Sequence, residues 1–313
     1  LPIMACSLLS KQKLHLMNVP NLVDIEMMKK ILNGFGLIFH KNGNSISLIP
    51  NSIRNHEADY DLVRKMRASI LVLGPLLSRF KKARISLPGG CAIGARPIDI
   101  HLYGLEKLGA TFSIQNGYVI GIVKDNLVGN TVTLPSISVG ATENIMMAAV
   151  LAKGKTKIKN AAREPEIEDL AICLNKMGAK IIGAGKSVIE IEGVSKLNEA
   201  EHSIISDRIV AGTYIIGAIM LNKDLVVNNI QPEYLKTPIK ILIKMGAKLY
   251  VGDNHIKIKS SQSIKGTKII TKPYPGFPTD LQAQLMVLLC KSFGTSEIKE
   301  KIFENRFMHA SEL

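Results

Sequence analysis

The sequence predicts an α/β fold assembled from small units in which helices pack against a sheet. Apolar residues make up 46% of the 313 residues and charged residues 21%, the balance of a globular chain with a sizeable core. A phrase consisting of an amphipathic helix end, a glycine and a strand rich in β-branched residues recurs four times. Its period of about 70 residues is too long for a helical solenoid and indicates sheet-plus-helix subdomains.

The glycine of each phrase marks the point where a helix ends. Glycine accepts the left-handed backbone conformation that commonly closes a helix, and a strand can then begin at once. Successive glycines of this kind are 73, 69 and 68 residues apart: Gly36, Gly109, Gly178 and Gly246. The strands predicted after them are residues 36–39, 111–114, 180–182 and 248–251.

An apolar helix and a short strand precede each phrase. Segments that are apolar on all sides and rich in small residues predict buried helices. They are residues 1–9, 68–77, 145–152, 209–221 and 281–289, the last of which begins a fifth unit. The strands predicted after the first four are residues 14–17, 83–87, 156–158 and 225–227. Each unit therefore has the order helix, strand, helix, strand.

The charge and composition exclude several classes of protein. The net charge of +14 comes mainly from scattered Lys, and only 5% of residues are aromatic, whereas nucleic-acid binders gather basic patches and aromatic platforms. Four Cys are too few for a disulfide scaffold. No apolar run reaches the ~18–20 residues of a membrane span. The basic region that opens a signal peptide is not seen before the apolar start. We expect a cytoplasmic protein without nucleic-acid or membrane partners.

Both ends of the chain interrupt an expected element. Leu1 lies inside an apolar run with no preceding helix cap, and the fifth glycine phrase would fall near residue ~315 by the repeat spacing. We therefore expect a fragment of a protein with at least five units.

The segment from Leu87 to Pro97 is the most informative part of the sequence. Leu87-Pro-Gly-Gly-Cys-Ala-Ile-Gly-Ala-Arg-Pro97 contains three glycines and two prolines, which excludes a helix or a regular strand interior. Cys91 lies in this loop near Arg96, and a neighbouring cation favours the reactive thiolate. By contrast, apolar helical surroundings predict buried, unreactive thiols for the other cysteines: Cys6, Cys173 and Cys290.

Scarce arginines and one aspartate are further candidates. Arg67 opens a predicted apolar helix, where a cation is unfavourable with the helix dipole, so it is either a simple surface residue or retained for an anionic ligand. Arg306 lies among polar groups and aromatics in Phe303-Glu-Asn-Arg-Phe-Met-His309. Asp280 follows a Pro-rich loop; the spacing favours an N-cap for the next helix, and a general base is the alternative.

No signature of a metal or cofactor site is present. The seven His are isolated, there is no Cys-x-x-Cys, and neither a Walker loop nor a dinucleotide fingerprint occurs. We expect no metal and no cofactor.

Five motifs resemble one family of enzymes. They are Arg67-Ala-Ser-Ile-Leu-Val-Leu-Gly-Pro-Leu, the loop Leu87–Pro97 continued to His101, Asn160-Ala-Ala-Arg-Glu-Pro-Glu-Ile, Phe277-Pro-Thr-Asp-Leu-Gln-Ala-Gln284 and Phe303–His309. Together they resemble the UDP-N-acetylglucosamine 1-carboxyvinyltransferase family of enolpyruvyl transferases. The resemblance implies an inside-out α/β barrel of two domains with three similar subdomains each. Residues 1–205, with the Cys-loop 87–97, would form the first domain, and residues 206–313 part of the second.

The resemblance also implies a reaction and its catalytic groups. Enzymes of this family transfer the enolpyruvyl group of phosphoenolpyruvate to the 3′-hydroxyl of UDP-N-acetylglucosamine and release phosphate, the first committed step of peptidoglycan synthesis. Cys91 would be the general acid, able to form a covalent adduct, and the residue that fosfomycin alkylates. Asp280 would take the sugar hydroxyl proton.

The substrate-binding residues follow from the same motifs. Arg67, Arg96 and Arg306 would neutralise phosphate and carboxylate charge. The implied uridine-nucleotide and sugar contacts are Arg96, Pro97, Ile98, Asp99, Ile100, Ser138, Val139, Gly140 and Ile302. A substrate-binding Lys-Asn pair would precede Leu1 and two further arginines would follow Leu313. The resemblance therefore implies that the parent gene product is active and that these 313 residues alone are weakly active or inactive.

Three alternatives are each compatible with part of the sequence. The sister enolpyruvyl transferase that acts on shikimate 3-phosphate shares fold and chemistry, but the Cys91 loop argues against it. A degenerate fragment would keep the fold without the activity. A nucleic-acid-binding protein is supported by the charge alone.

Overall fold

A computed structural model describes two compact units of the chain. It covers residues 1–51, 53, 56–58, 60–63, 66–87, 98–261 and 263–313. The first unit comprises the described residues up to Ile204, and the second is Ile205–Leu313. Each has its own hydrophobic core.

The first unit contains seven α-helices and eleven strands among its described residues. The helices are α1 Pro2–Cys6, α2 Val23–Gly34, α3 Tyr60–Val63, α4 Leu73–Phe80, α5 Asp99–Lys107, α6 Val139–Ala149 and α7 Pro165–Lys176, with 3₁₀ helices at Ser7–Leu9 and Arg67–Val72. The strands are β1 Leu14–Met17, β2 Leu37–Asn42, β3 Ser45–Pro50, β4 Lys82–Ser86, β5 Thr111–Gln115, β6 Tyr118–Ile122, β7 Thr131–Thr133, β8 Lys155–Lys159, β9 Lys180–Ile182, β10 Val188–Glu192 and β11 Ala200–Ser203.

These strands form three small sheets. Their orders are β11-β1-β3-β2, β4-β6-β5 and β7-β8-β10-β9. Most neighbours are antiparallel, but β1 pairs in parallel with β11, with Leu14 opposite Ala200. This pairing joins the beginning of the unit to its end, so the first sheet is completed only by residues nearly 190 positions apart.

Helix α6 lies at the centre of the first core. Every residue from Ala141 to Ala149 is buried, including the three polar residues Thr142, Glu143 and Asn144. It packs against α4, α5 and α7. Two glycines permit the close approach: a Cβ atom at Gly74 would overlap the backbone oxygen of Asn144, and one at Gly104 would overlap the Ile145 side chain.

A side-chain amide interrupts the segment that the sequence predicts as one apolar helix over residues 68–77. The Gly74 amide donates to Asn144 Oδ1 at 2.6 Å, and Asn144 Nδ2 donates to the Ile70 carbonyl at 2.9 Å. An uninterrupted α-helix would join Gly74 directly to Ile70. The Asn144 amide occupies that place, and the backbone is therefore 3₁₀ over Arg67–Val72 and α-helical only from Leu73.

The helix ends predicted at the recurring glycines are present at all four positions. Gly36, Gly109, Gly178 and Gly246 have φ angles of 101°, 101°, 102° and 105°. This region of φ favours glycine because it carries no Cβ. A strand begins within two residues of each glycine, so the local prediction is confirmed in both units.

The second unit is smaller. Its described helices are α8 Arg208–Met220, α9 Lys236–Lys244 and α10 Gln282–Leu289, with 3₁₀ helices at Pro232–Leu235, Thr279–Leu281 and Met308–Ser311. The strands are β12 Leu225–Asn228, β13 Lys248–Val251, β14 His255–Lys259, β15 Lys268–Ile270 and β16 Glu297–Lys299. One antiparallel sheet has the order β12-β14-β13, and β15 pairs in parallel with β16. Helices α8 and α10 pack together in its core.

Candidate functional site

The predicted site residues fall into three groups. Cys91, Arg96 and Pro97, with the rest of residues 88–97, lie outside the described residues. A second group is in the first unit: Arg67, Ile98, Asp99, Ile100, Ser138, Val139 and Gly140. A third group is in the second unit: Asp280, Ile302 and Arg306.

Residues Ile98–Ile100 form the start of α5. Ile98 is buried at the N-cap position, and its carbonyl accepts from the amides of His101 at 2.9 Å and Leu102 at 3.1 Å. Asp99 is exposed in the first turn, where a carboxylate is favourable with the helix dipole. The side chain of this acid is therefore available to a ligand while the backbone is fixed by the helix.

Residues Ser138–Gly140 form the start of α6. Ser138 is the N-cap, and its Oγ accepts from the Ala141 amide at 3.3 Å. The Ser138 carbonyl accepts from Thr142 Oγ1 at 2.7 Å. Gly140 approaches α5 closely, since a Cβ atom there would lie 3.1 Å from His101 Cε1. The predicted residues at the starts of α5 and α6 are therefore near neighbours.

His101 connects these residues to Arg67, although the sequence predicts no role for it. Only 6% of its surface is exposed, and Asn144 Nδ2 lies 3.1 Å from its Nδ1. Because an amide nitrogen only donates, His101 Nδ1 accepts and the ring proton is on Nε2. Burial, and secondly the charge of Arg67, lower the pKa of His101 to about 4. His101 is therefore neutral at pH 7.

Arg67 opens a helical segment, as the sequence predicts, but the first part of that segment, Arg67–Val72, is a 3₁₀ helix. Its side chain is half-buried, and its charge acts on His101. The first unit thus brings together Arg67, the start of α5 and the start of α6, although these segments are 30 to 70 residues apart in sequence.

In the second unit, Asp280 and Arg306 form an ion pair. Arg306 Nη2 donates to Asp280 Oδ1 at 2.7 Å and lies 3.3 Å from the Thr279 carbonyl. The Arg306 side chain is 15% exposed and that of Asp280 is 54% exposed. The guanidinium is held against the protein while the carboxylate faces solvent, where it can meet a substrate.

The interpretation of Thr279-Asp280 as a helix N-cap is wrong. The 3₁₀ helix Thr279–Leu281 precedes α10, so the N-cap positions are Pro278 and Leu281, and neither makes a side-chain capping bond. The Asp280 carboxylate instead binds Arg306. The 3₁₀ turn moves the start of α10 past Asp280, which the sequence spacing does not reveal.

The described cysteines divide by exposure. Cys6 and Cys173 are buried as predicted, and burial raises the pKa of Cys173 to about 12 and that of Cys6 well above its usual value. These thiols are therefore poor nucleophiles. The prediction that Cys290 is buried is wrong, because it follows the last turn of α10 and its side chain is exposed.

The described residues offer neither a metal site nor a membrane span. They contain no group of three His, Cys, Asp or Glu side chains arranged to hold a metal ion. Within the same residues, no helix combines the length and the apolar character needed to cross a bilayer.

The whole chain matches a family of enolpyruvyl-transferring enzymes. The family model described as EPSP synthase (3-phosphoshikimate 1-carboxyvinyltransferase) matches residues 1–313. The chain belongs to this family. The enolpyruvyl transferase NikO from Streptomyces tendae has the same fold: its structure superposes with a TM-score of 0.85 at 20% identity, covering 100% of this chain and 74% of that one.

Relatives with much higher identity carry a more specific name. The UDP-N-acetylglucosamine 1-carboxyvinyltransferase of Pelagibacter ubique (strain HTCC1062) is 50% identical over 313 residues, which are all of this chain and 75% of the relative. The enzyme of that name from Endomicrobium trichonymphae is also 50% identical over 313 residues, with the same coverage. The resemblance seen in the sequence motifs is therefore confirmed.

The burial of neutral His101 predicts acid destabilisation of the first unit. Its pKa is about 4 in the folded protein and about 6.5 in the unfolded chain, so the unfolded state binds the proton more tightly. The contribution of neutral His101 to the free energy of unfolding is complete above pH ~6.5. It decreases by about 3 kcal/mol as the pH falls towards 4. Amide exchange of α6 measured across this range should show that loss in the wild type and a smaller loss in His101→Gln. Equal losses in both proteins would contradict it.

Proposed function

We propose that the protein transfers the enolpyruvyl group of phosphoenolpyruvate to the 3′-hydroxyl of UDP-N-acetylglucosamine, with release of phosphate. The observation that carries the proposal is 50% identity over the whole chain to enzymes named for this reaction. The ion pair of Asp280 and Arg306 supports it, because it combines a solvent-facing carboxylate with a fixed cation. In bacteria this reaction is the first committed step of peptidoglycan synthesis, and the proposed location is the cytoplasm.

The proposed chemistry is an addition followed by an elimination. The Cys91 thiol gives a proton to the methylene carbon of phosphoenolpyruvate while the sugar oxygen bonds to the adjacent carbon. Asp280 takes the proton of the sugar hydroxyl. The resulting tetrahedral intermediate loses phosphate, and loss of a proton from its methyl group restores the carbon–carbon double bond. The Cys91 thiolate takes back the methyl proton, and the departing phosphate carries away the proton that Asp280 received, so both side chains return to their starting states.

The proposed binding groups match the charges of the two substrates. Arg67, Arg96 and Arg306 hold phosphate and carboxylate oxygens, for which the guanidinium fork is suited. The starts of α5 and α6 offer Asp99, Ser138 and backbone amides to the nucleotide, and Ile302 lines the sugar site. The adjacency of Gly140 and His101 supports this grouping, because it places the two helix starts side by side.

The proposal includes the architecture expected from the resemblance. Residues 1–205 would form a first domain of three subdomains and residues 206–313 part of a second, as in an inside-out α/β barrel. The four helix–glycine–strand phrases support this arrangement.

Transfer to shikimate 3-phosphate is the second candidate, because the family description names that substrate. The EPSP synthase of Acinetobacter baumannii has the same fold, with a TM-score of 0.70, but is only 18% identical. Identity of 50% to enzymes named for UDP-N-acetylglucosamine, against 18% to this EPSP synthase, favours the nucleotide sugar as the acceptor. Phosphate release by the full-length gene product, measured with each acceptor in turn, separates the two. Release only with shikimate 3-phosphate would overturn the proposal.

Asp280→Asn in the full-length gene product should reduce kcat by about 10²–10⁴-fold, because the amide cannot accept the hydroxyl proton. Its folding should change little, because the Asp280 side chain is half exposed and surface ion pairs contribute only about 0–1 kcal/mol. The matched control is Asp253→Asn, an exposed residue between β13 and β14, which should keep wild-type kcat. Wild-type turnover in Asp280→Asn would exclude Asp280 as the base.

Fosfomycin should label Cys91 covalently. Mass spectrometry of the full-length gene product should show one adduct in the wild type, none in Cys91→Ser and one in the control Cys290→Ser. The control is informative because Cys290 is the exposed free thiol among the described cysteines. An adduct that persisted in Cys91→Ser would assign the reactive thiol to another cysteine.

A further inference from the structure

The carboxylate of Glu300 joins the two segments that carry Asp280 and Arg306. Its Oε1 accepts from the backbone amide of Ile302 at 2.7 Å, that of Phe303 at 3.2 Å and from Thr271 Oγ1 at 2.9 Å. Its Oε2 accepts from Thr279 Oγ1 at 3.0 Å. Four donors from three separate stretches of chain therefore meet at one side chain.

Three of these four donors belong to candidate site residues or to their neighbours in sequence, and the fourth, Thr271, is a buried residue. Thr279 directly precedes Asp280. Ile302 is the predicted sugar-site residue, and the segment from Ile302 leads to Arg306. Thr271 is fully buried beyond the end of β15, and its hydroxyl also accepts from the Lys301 amide at 2.9 Å. Glu300 thus fixes both segments to a buried point of the second unit.

The ion pair of Asp280 and Arg306 is a second connection between the same two segments. Residues 279–280 are held to residues 300–306 at two points: Thr279 with Glu300, and Asp280 with Arg306. A pair whose carboxylate is half exposed contributes little on its own. Because the pair alone is weak, we expect its geometry to be fixed by the four hydrogen bonds that Glu300 accepts, two of them from backbone amides.

Glu300 serves as an acceptor and not as a partner for a cation. Among the described residues, no Lys or Arg forms an ion pair with it, whereas the neighbouring Glu297 on β16 pairs with Lys268 at 3.0 Å. A carboxylate is the side chain suited to this position because it accepts several hydrogen bonds at once, and those to a charged acceptor are the stronger ones.

We propose that Glu300 is a positioning residue that sets the geometry of Asp280, Arg306 and Ile302 for enolpyruvyl transfer. This inference rests on the proposed function. A displacement of about 1 Å at reacting groups can reduce turnover about 10²-fold, so small movements of these segments are sufficient for a large effect.

Three variants of the full-length gene product test the role. Glu300→Ala removes the two oxygens that accept all four hydrogen bonds and should lower kcat by about 10–10²-fold. Glu300→Gln keeps an oxygen for Ile302, Phe303 and Thr271, and should recover most of that loss. Glu297→Gln is the matched control, because it makes the same chemical change on an exposed ion pair three residues earlier in the chain, and should retain wild-type kcat.

A double-mutant cycle with Asp280→Asn distinguishes positioning from a loss of stability. If Glu300 acts through Asp280, adding Glu300→Ala to Asp280→Asn should reduce kcat much less than the 10–10²-fold seen in the wild-type background. Full additivity, or wild-type kcat in Glu300→Ala, would overturn the positioning role while leaving the proposed function intact. A wild-type protein without transfer to UDP-N-acetylglucosamine would instead overturn the proposed function, and the role of Glu300 with it.

Discussion

The carboxamide of Asn144 occupies a gap in the backbone hydrogen-bond ladder between Ile70 and Gly74. It accepts from one side of the gap and donates to the other, and its remaining N–H is directed to His101. All of its hydrogen-bonding groups are satisfied although the side chain is fully buried. Removing it would leave the Gly74 amide and His101 Nδ1 without partners in the core, each costing about 1–3 kcal/mol, while the Ile70 carbonyl would keep its bond from the Leu73 amide.

The position of Asn144 matters because the three elements it joins carry the predicted nucleotide and phosphate contacts. It belongs to α6, whose N-cap and first two residues are Ser138–Gly140. Its partners are the segment that begins at Arg67 and helix α5, which begins at Asp99. A shift of any of these elements would break a buried hydrogen bond, so the site residues are held in register by the core itself.

In the second unit, separate chain segments are joined by a charged side chain. Glu300 holds its segments where solvent still reaches, whereas the fully buried position in the first unit is occupied by a neutral amide. This difference follows from desolvation, because burying an unpaired carboxylate costs far more than burying a satisfied amide. In both units a single side chain that makes several hydrogen bonds joins chain segments that are remote in sequence.

Local features were predictable from the sequence, and features that depend on distant contacts were not. The helix ends at Gly109 and Gly178 follow from backbone sterics, and the strand Leu14–Met17 was predicted with its observed bounds. The exposure of Cys290 and the pairing of Asp280 with Arg306 depend on how α10 starts and ends in the folded unit. His101 was missed because its partner Asn144 is 43 residues away.

A signal for Asn144 was nevertheless present. It is the last of three consecutive polar residues, after Thr142 and Glu143, in a helix whose other residues are apolar, and buried polar side chains are as a rule hydrogen-bonded. The sequence cannot say which groups it binds, because those groups are a backbone amide, a backbone carbonyl and a ring nitrogen in two other elements.

The dissociation constant of UDP-N-acetylglucosamine for Asn144→Ala, measured by calorimetry on the folded full-length gene product, tests the central claim most directly. Exposed Asn126→Ala provides the matched control in the same unit. Weakening of about tenfold or more in Asn144→Ala, with no change in Asn126→Ala, is the expected result. A folded Asn144→Ala protein that binds the nucleotide sugar as tightly as the wild type would show that the amide does not align the site.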